Sequence, residues 1–222
     1  MAILVESEVG SLEVPVWVVD LPSFRRWVQS DDCPERQPVH FVNGHVWVDA
    51  TMEEFFSHNR MKTTLGIALA AFIEENDLGM YVSDGMRYTN DNVGFSTEPD
   101  GMFVSHESLE SGRVSFESGP RGTATELVGV PDLVIEVVSR SSERKDTDWL
   151  ATNYFDAGIP EYWLIDARGE AIRFDIFKAG KTGFVASKAV GGWVKSVVLN
   201  RSFQLSRGTN RSKVVTYSLQ MR

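Results

Sequence analysis

The stretch Pro131-Asp132-Leu133-Val134-Ile135-Glu136-Val137-Val138 decides the fold. A nearly continuous apolar run of this length, opened by a proline, reads as a central β-strand covered on both faces. Glu136 interrupts it. An ionised carboxylate without a partner costs on the order of several kcal/mol to bury, so something must compensate it. Strand alternation puts Asp132, Val134, Glu136 and Val138 on one face. A second acid opens the strand that follows Pro99, where Asp100, Met102 and Val104 share a face in the same way. If the two strands are neighbours, Asp100 and Glu136 converge on one hard cation. Two carboxylates plus waters is what magnesium typically accepts from protein. Such a centre holds a phosphate oxygen and lowers the pKa of an attacking water, and a nearby ammonium helps stabilise the charge that develops. The plainer alternative stays open: an acid at a strand start, such as Asp100 or Asp132, also caps turns or pairs with a surface base.

Outward from this strand, Ser139 to Asp146 reads as a polar turn into a helix from about Thr147 to Ala157, closed by Gly158. Tyr162 to Asp166 is a further short buried strand. Upstream, Asn43-Gly44 between alternating residues marks a hairpin over 39–48. A helix is expected from Met52 to about Asn76, with Phe55, Leu65, Leu69 and Phe72 on its apolar face. His58, seven residues before Leu65, points toward that same face and by default is a hydrogen-bonded core histidine. Short strands are expected over 80–95, a strand over 100–105, and a loop over 106–130 broken only by a strand at 114–116. Residues 171–177, 183–186 and 194–198 suggest an antiparallel continuation. The N-terminal residues read as a β-hairpin and a short helix at 24–29. The stretch 201–222 carries Arg201, Arg207, Arg211, Lys213 and Arg222 with no acidic residue and reads as a flexible basic tail. The division expected is therefore an extension over 1–38, a main domain over 39–199 and a tail over 200–222.

With 222 residues, 42% apolar and 24% charged, the chain has ordinary globular usage, which argues against disorder and fibrous classes. Cys33 is the sole cysteine, so a disulfide framework and a cysteine-ligated zinc or iron–sulfur site within one chain are excluded. Twenty-two basic against 31 acidic residues give a net charge of −9, the opposite of the usual nucleic-acid binder. No segment approaches the roughly 20 apolar residues of a membrane span, and the N-terminus lacks the basic start and apolar run of a signal peptide. A soluble, cytoplasmic protein without membrane association is the expectation.

The block from Pro131 to Ser139, Tyr154, and the block Ala157-Gly158-Ile159-Pro160-Glu161-Tyr162-Trp163-Leu164-Ile165-Asp166 together resemble the Uma-type family of restriction-endonuclease-like proteins, within the PD-(D/E)XK nuclease superfamily. Asn43-Gly44, His58 and Glu98-Pro99-Asp100-Gly101 are similar to it as well, so the resemblance spans roughly 39–199. It implies an α/β fold: a restriction-endonuclease-like mixed β-sheet flanked by helices, here with an N-terminal hairpin extension and antiparallel C-terminal strands. It implies Asp100 and Glu136 as metal ligands, with Asp132 as an auxiliary acid. The superfamily's lysine stands two residues after the glutamate, where this chain has Val138. In the Uma-type variants it has moved to the following helix, where counting back from Tyr154 reaches Leu150. Lys145, about one helical turn earlier, is the substitute.

The leading reading is a magnesium- or manganese-dependent endonuclease acting on DNA. Asp100 and Glu136 would hold the metal, Lys145 would position water or stabilise the transition state, and His58 would help orient the site. Arg60, Lys62, Arg140, Arg144 and Lys145 are candidates for a local basic strip. The second reading is a non-catalytic binding or interaction module on the same fold, for instance a homodimer, and the third a hydrolase of another phosphate substrate; fold alone does not choose. Tryptophan and phenylalanine are read as core rather than as base-stacking platforms, because most alternate with aliphatic residues.

Overall fold

The computed structural model describes residues 2–7, 10–33, 39–49, 54–119, 122–139 and 145–222. The chain opens with an antiparallel hairpin, β1 (Ala2–Ser7) and β2 (Gly10–Pro15), followed by helix α1 (Leu21–Val28). Asp20 caps α1 through a reciprocal box with Ser23, and Pro22 sits in the first turn, where its missing N–H costs nothing. Strands β3 (Val39–Val42) and β4 (His45–Val48) form the hairpin expected at Asn43-Gly44. Both turn residues take positive φ, 52° and 75°, as a two-residue turn requires.

A π-helical turn, Phe55–Asn59, then leads into α2 (Arg60–Glu75). There follow β5 (Gly79–Ser83), β6 (Arg87–Asn90), β7 (Phe95–Thr97), β8 (Gly101–Ser105), α3 (His106–Glu110), β9 (Val114–Ser118), β10 (Ala124–Gly129) and β11 (Leu133–Val137). A second π-helical segment, Lys145–Leu150, runs into α4 (Ala151–Asp156). The chain ends with β12 (Glu161–Asp166), β13 (Arg173–Ala179), β14 (Phe184–Ala186), β15 (Val194–Ser196), β16 (Arg201–Thr209) and β17 (Val215–Met221).

The central sheet has the order β14-β13-β12-β11-β8-β5, with β11 parallel to β12 and antiparallel to β8. Both faces of β11 are covered, as its apolar run dictates. Val134 and Val138 join Met102, Val104, Tyr162 and Leu164 on one face, against Leu150 and Tyr154 and against Tyr88, Phe95 and Leu127 of a second sheet, order β4-β3-β7-β6-β10-β9. Leu133, Ile135 and Val137 take the other face with Phe103, Trp163 and Ile165, against α2 and Phe203. The residues α2 buries are Met61, Leu65, Leu69 and Ile73, spaced by four, each contributing about 1.5–3 kcal/mol. Phe55, expected on this face, lies in the π-turn instead and is 55% exposed. A turn wound by five residues shifts the phase of everything before Arg60.

Two segments depart from expectation. The loop expected over 106–130 is mostly ordered: Ser105 caps α3, and β9 and β10 pair with each other while β10 also pairs in parallel with β6. Its apolar anchors, Val114 and Leu127, are too few to show as a periodic run. The flexible basic tail expected from residue 200 is instead the antiparallel pair β16–β17, which β15 extends to a three-stranded sheet. Phe203, Leu205, Tyr217, Leu219 and Met221 pack onto the central sheet's second face. Arg201, Arg207 and Arg222 lie over the rings of Phe72, Tyr217 and Trp193, contacts that offset part of the cost of gathering cations here. Among the described residues no helix is long and apolar enough to cross a membrane.

Buried acids clamp these parts together. Glu126 accepts from Arg25 Nε at 3.0 Å, Arg25 Nη2 at 2.7 Å and Thr89 Oγ1 at 2.5 Å, fastening α1 to the second sheet. Glu161 accepts from Trp163 Nε1, Ser196 Oγ and the N–H groups of Val197 and Val198, fastening β15 to β12. Burial pushes the Glu161 pKa up, and these donors pull it back only in part. All of its partners are donors, so an amide at this position would turn its own N–H₂ toward N–H groups. Glu161→Gln is therefore expected to cost about 2 kcal/mol in a urea titration. Arg25→Ala, which strands a buried carboxylate, is expected to cost about 3 kcal/mol by the same measurement.

Candidate active site

The last residues paired between β11 and β8 are Ile135 and Gly101. One step further, the register sets Glu136 across from Asp100. Residues directly opposite on antiparallel strands have Cβ atoms roughly 4.5–5.5 Å apart. The turn into β8 depends on Gly101, because a Cβ there would overlap the Tyr81 hydroxyl. Asp100 Oδ2 accepts the Val137 N–H at 2.7 Å, which ties the acid to the strand that carries Glu136.

The π-turn supplies what faces Asp100. Glu54 caps it, accepting from Phe56 N at 3.0 Å, from Ser57 N and from Ser57 Oγ at 2.6 Å. His58 follows, and Lys62 comes four residues later, on the same side of the helix. His58 Nε2 lies 3.6 Å from Asp100 Oδ2, and Lys62 Nζ lies 3.5 Å from Oδ1 and 2.6 Å from Asp84 Oδ2. The Asp100 side chain is 11% exposed. Burial, the largest influence, pushes its pKa up. The hydrogen bond and charge of His58, the Lys62 ammonium and the Val137 N–H together outweigh that, so the carboxyl stands below the ordinary aspartate value.

Glu136 is compensated differently. It is 2% exposed, and the Tyr154 hydroxyl of α4 donates to its Oε1 at 2.5 Å. Burial first, then the charge of Glu136, holds the Tyr154 pKa well above its usual value, so the hydroxyl remains a donor. Tyr162 is shifted upward in the same way, by burial and then by Glu136, Asp146 and Asp100, three acids acting on one ring. The Tyr162 hydroxyl donates to the Asp146 carbonyl at 2.9 Å, which anchors the second π-helical segment beside the pair.

The structure thus brings Asp100, Glu136 and His58 to one end of β8 and β11. Asp132 is not among them. It precedes β11 at the opposite end, accepting from Ser105 N and Ser108 Oγ, each at 2.7 Å, and pairing with Arg113. Sharing a face with Glu136 does not bring it near, since four residues of strand span about 13 Å. The acid expected as an auxiliary holds α3 and β9 in place instead. The side chain of Lys145, together with Arg140 and Arg144, lies outside the described residues. Val138 is in the core and 1% exposed, so nothing cationic stands two residues after Glu136 on the strand. Lys62 was read only as part of a basic strip, although its i, i+4 spacing from His58 was the available signal. Tyr154 stood in the quoted motif, but its bond to Glu136 needed the fold. As a donor set, two largely buried carboxylates at facing positions fit a hard divalent ion that keeps several waters. Among the described residues no three His, Cys, Asp or Glu side chains form a ready-made cage.

Residues 22–207 match the family model Uma2, described as "Putative restriction endonuclease". Among solved structures, the chain is similar to "a putative nuclease belonging to DUF820" from Anabaena variabilis, with a TM-score of 0.60 at 13% identity over 82% of this chain and 91% of that one. At that identity the likeness speaks for the fold. The comparison with curated proteins gave no match. With more than four fifths of its length inside the family model, and with the mixed α/β architecture shared by a solved relative, the chain belongs to the Uma2 family of nuclease-fold proteins.

Proposed function

We propose that this chain is a magnesium- or manganese-dependent endonuclease that hydrolyses phosphodiester bonds in DNA. The observation that carries the reading is the pair Asp100 and Glu136, set across from each other on adjacent strands and each fixed by its own partners. These two carboxylates would hold the ion. When bound, the ion would polarise a phosphoryl oxygen and make an attacking water more acidic. Tyr154 fixes the Glu136 carboxylate, and His58 and Lys62 fix that of Asp100. As water bonds to phosphorus and one P–O ester bond breaks, negative charge grows on the phosphoryl oxygens. Lys62, whose ammonium lies 3.5 Å from Asp100, is one candidate to stabilise that charge. Lys145 is the other candidate for the same task.

A specific observation favours the non-catalytic reading as well. Val138 fills the strand position where the superfamily carries its lysine, and it is packed in the core. The two readings part on turnover. Purified protein with magnesium or manganese is expected to nick supercoiled plasmid, and Glu136→Gln to slow nicking by at least about 100-fold with an unchanged circular dichroism spectrum. Equal background cleavage by both proteins would end the enzyme reading and leave the binding module. Lys62→Ala is expected to slow nicking by about tenfold or more, with partial recovery in Lys62→Arg. Loss confined to Lys145→Ala would move the ammonium's role to the second π-helical segment.

A further inference from the structure

A groove of 300 Å³ is walled by Phe56, Ser57, Ser139, Arg168, Arg207 and Tyr217. Along the chain it adjoins the residues of the candidate site. Ser57 precedes His58, Ser139 stands three residues past Glu136, and Arg168 Nη1 donates to the Ser139 carbonyl at 3.2 Å. One wall, β17, lies beyond residue 207, where the family match ends.

The groove is lined by two guanidiniums, Arg168 and Arg207, and by one carboxylate, Glu54. Arg207 donates to the carbonyls of Ala167, Gly169 and Glu170, and among the described residues no carboxylate pairs with it. Its guanidinium lies 5.6 Å from the centre of the Tyr217 ring. Arg168 shares its charge with Asp166 at 2.8 Å. Glu54 also touches the groove, but its carboxylate is engaged in capping the π-turn. Beside these cations Phe56 is 43% exposed, and Phe55 meets it edge-on at 5.1 Å. The phase shift of the π-turn has turned out of the core two rings that an uninterrupted helix would have carried differently. A flat apolar ring, a guanidinium without a carboxylate and hydroxyls within one small groove match a nucleotide, which offers a base face and a phosphate.

In a duplex the base faces are stacked on one another, whereas an unpaired nucleotide offers its face to a ring. We infer that the groove receives an unpaired nucleotide next to the cleaved bond, its base on Phe56 and its phosphate toward Arg207, so that the substrate is a single-stranded or locally melted strand. This assignment rests on the nuclease reading and names its substrate class.

Binding in EDTA separates the two. Using Glu136→Gln protein and short fluorescein-labelled oligonucleotides, anisotropy is expected to show the single strand binding at least about tenfold tighter than its duplex. Adding Phe56→Ala is expected to weaken the single strand by about tenfold, and Phe56→Trp to restore it. Adding Arg207→Gln is expected to lower the salt dependence by about 0.7 in logarithmic slope. Unchanged affinity in Phe56→Ala, or preference for duplex, overturns the groove, and if wild-type plasmid nicking persists the nuclease reading stands without it. Absence of oligonucleotide binding with the groove intact, together with absence of wild-type nicking, overturns both. Competition by polyglutamate as effective as unlabelled oligonucleotide also overturns the groove and points to an acidic peptide.

Discussion

A carboxylate placed in the middle of a strand covered on both faces is the constraint around which this molecule is arranged. Glu136 has Ile135 and Val137 as chain neighbours and is itself 2% exposed. One donor that meets it is the hydroxyl of Tyr154, from the crossover between β11 and β12. That bond fixes where α4 sits. The Tyr154 ring then packs 5.4 Å from Tyr162 and 6.2 Å from Tyr88, joining the central sheet to the second one. The aromatic cluster is thus the framework of a polar contact as much as apolar filling, and a fully satisfied contact of this kind rigidifies its surroundings.

Asp100 is held by charged side chains and by backbone. Its partners His58 and Lys62 come from the helical entry on the opposite face of the sheet, and its third partner is the backbone of β11. Lys62 serves two carboxylates at once, Asp84 and Asp100, so its one positive charge is divided. Tyr162 meanwhile feels the charges of Glu136, Asp146 and Asp100 together.

How much of this was legible follows from the range of each signal. The doubly covered strand announced itself because both faces are apolar, and Asn43-Gly44 because a tight turn is a local demand. Alternation gave the faces of Asp100 and Glu136, while the register that sets them across from each other came only with the pairing of β8 and β11. The π-turn did not show, since one extra residue per turn leaves composition unchanged while rotating Phe55 and Phe56 outward. Nor did β16–β17, whose alternating Phe203, Leu205, Tyr217 and Leu219 were masked by their arginines. Asp132 shows the converse limit. Alternation assigns a face, but position along the strand decides which partners are within reach, and for Asp132 those are Ser105, Ser108 and Arg113.

The net charge of −9 is an average over the whole chain. Several arginines lie over rings, Arg26 on Trp17 at 5.0 Å, Arg222 on Trp193 at 4.3 Å and Arg207 on Tyr217. A ring satisfies a guanidinium without neutralising it, whereas a carboxylate cancels it. At physiological salt a charge is screened beyond about 8 Å, so an approaching phosphate responds to the groups lining its own groove and little to distant acids. An acidic chain that sets cations against aromatic faces can therefore keep local positive charge that its net charge does not reveal.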